Sequence, residues 1–217
     1  MAGGLYLVYI VIAILADVIG RSGVIVYGDA AVTAQNIMAS ESQFRIGFVS
    51  DLVSAVLFLL AAWALYVLLK PVNKNLALLF LLLNLGGFVI WCLSVLNLYG
   101  SLMLLSGADY LKVFQLDQLQ AQATLFVNLY KNGSVIAQIP YGVWLFPLGY
   151  LVFKSRFLPK ILGILLIADF FGLLIFVIQR FLLPGYDVIS YPCTAVSFIA
   201  ELSLTFWLLI KGVKEQK

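Results

Sequence analysis

The residues of this chain that could do chemistry are few, and they stand inside apolar runs. Asp17, Asp51, Asp169 and Glu201 are flanked by aliphatic and aromatic residues, as are the amides Asn84 and Gln138. Arg21, Arg45 and Arg180 are the basic counterparts. Ionisable groups are costly in hydrocarbon, so those that persist there mark a pathway, a binding site or a mutual pairing. No histidine occurs among the 217 residues. Its absence excludes His-ligated haem, His-ligated zinc and any triad that uses His as base. Neither a G-x-S-x-G elbow nor a phosphate-cradling glycine loop is present. The two cysteines, Cys92 and Cys193, form no C-x-x-C. They allow either a disulfide, if their helices touch, or two independent buried thiols. No cofactor and no metal site is implied, and a net charge of +3 gives no sign of a nucleic-acid partner.

The elements that must position these residues follow from composition. Apolar residues make up 64% of the chain and charged residues 11%, against about a quarter charged in a soluble domain. So few charges cannot cover a water-soluble body of this size, and lipid must be the solvent. The expected fold is all-α: one polytopic domain over 1–217, with spans near 5–26, 44–69, 75–105, 134–153, 161–180 and 190–210. Each is close to the roughly 20 residues that cross a bilayer. The first reads as a retained helix, because Met1-Ala2-Gly3-Gly4 lacks the basic region of a signal peptide.

Loop charge orients the spans. Lys70, Lys74, Lys154, Arg156, Lys160, Lys211, Lys214 and Lys217 fall on one side; Arg21, Arg45, Lys112, Lys131 and Arg180 fall towards the other. The basic-rich side is expected to be cytoplasmic, with both termini there and the chain in the plasma membrane. On the outer side, Asp29 is expected to cap a short helix through about Ala39. A second helix, from a capping-box-like Asp117 and Gln120 to Tyr130, is expected to lie in the interface on Leu119, Leu125, Phe126 and Leu129. Pro140 and Pro147 should kink the fourth span.

Counting from the inner anchors places the polar groups in depth. Asn84, Asp169 and Glu201 lie ten, nine and ten residues from Lys74, Lys160 and Lys211, about 14–15 Å at 1.5 Å per residue and so near the midplane. They are expected to face the bundle interior. One reading makes them a pocket or pathway with Asp169 and Glu201 as proton or cation sites; the other makes them internal ties between helices. Nearer the outer face, Asp17 and Arg21 are four apart and can pair. With Arg45, Asp51 and Arg180 they form either a basic mouth for an anionic lipid phosphate or carboxylate, or a ring of structural salt bridges. The candidate ligand-binding residues are therefore Asp17, Arg21, Asp51, Asn84, Gln138, Asp169, Arg180 and Glu201.

Several stretches carry a resemblance. Gly28-Asp29-Ala30-Ala31, Phe44-Arg45-Ile46-Gly47-Phe48 with Ser50-Asp51-Leu52-Val53, and Leu69-Lys70-Pro71-Val72-Asn73-Lys74 resemble a prokaryotic integral-membrane family catalogued as domain of unknown function 4386. Phe157-Leu158-Pro159-Lys160 and Glu201-Leu202-Ser203 do likewise. The resemblance implies a fold over the whole chain and no activity. Three classes stay open: a membrane protein that binds or moves a small amphiphilic or ionic ligand, a structural or accessory subunit without a pocket, and a membrane enzyme using Asp169 and Glu201 as acid and base. Membrane lipids are the expected partners in every case.

Overall fold

A computed structural model describes residues 1–212; Lys214 and Lys217 of the inner basic set lie outside the described residues. Among these the chain is all helix, with no strand. The helices are α1 (Ala2–Gly20), α2 (Ala30–Ala39), α3 (Glu41–Leu69), α4 (Lys74–Leu104), α5 (Leu116–Val143), α6 (Leu145–Lys154), α7 (Lys160–Leu182) and α8 (Ser190–Ile210). Six helical stretches are long and apolar enough to cross a membrane, α5 and α6 counting as one. Large apolar side chains such as Phe198, Leu96 and Leu82 are more than half exposed. Water would not tolerate so many, whereas lipid is their ordinary solvent.

Three boundaries differ from expectation. The first helix stops at Gly20, not near 26, because the chain turns at Arg21–Val24 with Gly23 at φ 78°. The expected interfacial helix and the fourth span are one continuous helix across Lys131-Asn132-Gly133. Gly133 does not break it; a Cβ there would come within 2.4 Å of the Ser94 hydroxyl oxygen, so this glycine lets α4 and α5 pack closely. The cap is also two residues earlier: Gln118 accepts from the Gln115 amide at 3.0 Å, while Asp117 lies in the first turn.

The buried stripe of α5 is Ala123, Val127 and Tyr130, while Leu125 and Leu129 are exposed. Leu125 and Leu129 thus keep the lipid-facing side the sequence gives them, and what differs is that their helix runs on into the span instead of lying apart in the interface. The prolines act differently from two kinks as well. α5 runs through Pro140 and the break comes at Trp144, where Pro147 then occupies the first turn of α6. A proline there loses little, since first-turn N–H groups have no helical acceptor.

The helices gather into two compact units. The first contains residues 1–8, 57–89 and 135 onward; the second contains 9–56 and 90–134. In the first unit, Phe58 packs edge-on against Tyr6, Tyr141 and Trp144. Gly149 and Gly163 bring α6 and α7 together, each Cβ position being under 3 Å from the other's carbonyl oxygen. The second unit is built on Val24, Ile37, Phe44, Val95, Leu98, Leu102, Val127 and Tyr130.

Candidate functional site

In the second unit a glycine contact sets up the polar chemistry. Gly20 of α1 and Gly47 of α3 touch backbone to backbone; a Cβ on Gly20 would lie 2.4 Å from the Gly47 Cα. Ala16, one turn before Gly20, is fully buried and completes a small-xxx-small face. That approach delivers Arg21, the next residue, to Asp51, which stands one turn beyond Gly47. Arg21 Nε donates to Asp17 Oδ1 at 3.1 Å, and Nη1 donates to Asp51 Oδ2. The Asp51 side chain is 2% exposed and the Asp17 side chain 66%. Asp51 is therefore the buried anchor and Asp17 the solvated one. The Arg21 guanidinium carbon also lies 5.6 Å from the centre of the Tyr130 ring.

The turn that carries Arg21 is clipped by α2. Asp29 caps that helix as expected, accepting from the Val32 amide at 2.9 Å. Thr33 Oγ1 donates to the Val26 carbonyl at 2.8 Å and accepts from the Val26 amide at 3.0 Å. Asn36 Nδ2 donates to the carbonyls of Gly23 and Val24. These bonds hold the 23–26 backbone against α2 without using Arg21.

A cavity of about 410 Å³ opens on this turn. Its wall includes Asp17, Arg21, Tyr27, Tyr130, Lys131 and Ser134. Lys131 Nζ sits 4.0 Å from the centre of the Tyr27 ring. Guanidinium has five N–H donors. Two of those on Arg21 are engaged by carboxylates, and the group faces the cavity already oriented.

In the first unit, Asn84 and Asp169 are fully buried. Neither the amide atoms of Asn84 nor the carboxylate oxygens of Asp169 meet a partner in hydrogen-bonding geometry; Ser197 is the polar side chain that approaches Asp169. Glu201 is half-buried, has Asp169 as a charged neighbour, and is reached by the Tyr6 hydroxyl. An unpartnered buried carboxyl costs about 1–3 kcal/mol. Asp169→Leu is therefore expected to raise the melting temperature in detergent by several degrees. A lower melting temperature would show that the carboxyl makes a contact worth keeping.

The structure thus joins Asp17, Arg21 and Asp51 in the second unit and Asp169 and Glu201 in the first. Asn84 belongs to neither cluster by any hydrogen bond, and Gln138 is half-buried on α5. Arg45 and Arg180 each keep a carboxylate of their own: Arg45 pairs with Glu41 at 2.8 Å and Arg180 with Asp187 at 3.7 Å. Cys92 and Cys193 are unbonded thiols. Sequence reasoning missed Tyr27, Tyr130 and Ser134 as cavity wall and Tyr6 as partner of Glu201. It counted Lys131 only as an outer charge. Aromatic residues a hundred positions apart carry no periodic signal that would join them.

Six apolar helical stretches define a multi-pass α-helical membrane protein. The chain belongs to the family described as Domain of unknown function (DUF4386), whose model matches residues 1–212. It is similar to an uncharacterised protein of Archaeoglobus fulgidus, at 32% identity over 159 residues, covering 73% of this chain and 79% of that protein. No solved structure matches the chain.

Proposed function

We propose that this protein binds an amphiphile by its anionic headgroup in the Arg21 cavity. One observation carries the reading: Arg21, held by Asp17 and Asp51, faces a cavity of about 410 Å³ whose wall also includes Lys131 and two tyrosines. A phosphate or carboxylate there accepts from the guanidinium and meets the Lys131 ammonium. The Tyr27 and Tyr130 rings share the wall, and Asp17 lies beside them for a hydroxyl or ammonium on the same headgroup. A purely structural salt bridge has no need of a second cation and a polar hollow in front of it.

The probe is decyl phosphate, titrated by calorimetry into the protein in a maltoside detergent. Lys131→Gln removes a charged contact without touching the buried Arg21–Asp51 pair. It is expected to weaken binding about tenfold, the scale of one hydrogen bond to a charged group, with the melting temperature lowered by no more than the loss of the Lys131–Tyr27 contact, about 0.5–1 kcal/mol. Equal affinity in wild type and variant, or no saturable binding in either, would reject the reading. The Arg21 cluster would then be a structural tie.

A further inference from the structure

The first unit carries a second feature, of different chemistry. The break at Trp144 and the restart at Leu145 leave a groove of about 420 Å³ between α4, α6 and α7. Leu76, Leu79 and Leu83 line one wall; Phe146, Tyr150 and Phe170 line the other. The three leucines repeat at i, i+3 and i+7, one face of a helix, and span about 10 Å along its axis. The Phe146 and Phe170 rings meet at a tilt, 5.4 Å between centroids. The groove holds no charged side chain in its wall.

Its rim is the opposite. Lys154 follows Tyr150 by one turn of α6, on the groove's side of that helix, and its Nζ lies 5.8 Å from the centre of the Tyr150 ring. The turns Lys70–Asn75 and Lys154–Lys160 together contain Lys70, Lys74, Lys154, Arg156 and Lys160 and no carboxylate. Lys74, Lys154 and Lys160 are exposed, and no ion pair joins them among the described residues. An apolar trough that ends under single-sign positive charge is complementary to one kind of molecule, a hydrocarbon chain terminated by an anion.

We infer that the groove holds one anionic phospholipid, with an acyl chain along Leu76, Leu79 and Leu83 and its phosphate at Lys154. A zwitterionic lipid fills the trough equally well but meets no carboxylate for its ammonium. The inference is independent of the Arg21 cavity.

Native mass spectrometry tests it on protein released from detergent with equimolar phosphatidylglycerol and phosphatidylcholine of matched chains. Retained phosphatidylglycerol is expected to exceed phosphatidylcholine by about fivefold for each lysine engaged. K154Q alters one exposed side chain and leaves the helices intact; added to K131Q, it should abolish the preference while still retaining lipid. L79W, which fills the trough, should remove one retained lipid of either headgroup. All proteins are compared in the K131Q background, which weakens the Arg21 cavity, so that the preference read belongs to the groove. Equal retention of the two lipids by the K131Q protein, or a preference that survives the addition of K154Q to it, would overturn the proposal. So would displacement of phosphatidylglycerol by the same concentration of inorganic phosphate, because the site would then be one for free phosphate.

Discussion

Arg21→Gln is expected to cost about 3–5 kcal/mol of stability, because it strips a buried carboxylate of its cation. Asp51 is 2% exposed at its side chain, so water cannot replace the guanidinium. The loss should appear in detergent as an early, aggregating thermal transition followed by circular dichroism. Arg21→Met with Asp51→Leu tests the cause. With both charges gone nothing is left uncompensated, and much of the stability should return. Decyl phosphate binding should not return, because the double variant presents a hydrocarbon side chain to the cavity. A double variant as unstable as Arg21→Gln would mean that the damage lies in packing around Tyr130. Lys131→Gln would then be the sole clean reporter of the ligand.

Gly20→Leu is expected to be at least as damaging, through contact with backbone instead of charge. Its Cβ would lie 2.4 Å from the Gly47 Cα, and neither helix backbone can yield as a flexible side chain would. Overpacking of ordinary side chains already costs about 1–3 kcal/mol. Here α1 must move away from α3, and Arg21 is carried out of reach of Asp51. The two losses are coupled: Gly20→Leu combined with Asp51→Leu should destabilise by less than the sum of the separate effects. Gly4→Ala is the control, since a Cβ there meets nothing within 4 Å. Melting curves of the four proteins decide it. Additive losses would show that the glycine contact and the ion pair act independently.

That coupling explains why some of the site was legible in the sequence and some was not. Asp17 and Arg21 share one helix end at a separation of four, so their pairing follows from helical geometry alone. Asp51 was recognisable as a charge in an apolar run. Its partner was not, because nothing in a single sequence states which helices touch. Gly20 and Gly47 hold that information, and a glycine in a membrane helix reads the same whether it packs, bends or does nothing.

The sequence by itself determined the class of protein: an all-helical chain with six stretches able to cross a bilayer, and with no histidine to support the commonest site chemistries. Hydropathy suffices because an unsatisfied backbone in lipid is so costly that helix is the outcome wherever the run is apolar and long. The tertiary structure alone decided which polar groups meet. It set Arg21 between Asp17 and Asp51 under Tyr130, and gathered Tyr27, Lys131 and Ser134 around a cavity. The physical reason is common to all of these. In lipid the apolar residues on every helix face are nearly equivalent, so amphipathic pattern does not choose the interior. Close backbone approach at small residues and the few charge pairs choose it, and both are properties of two helices at once.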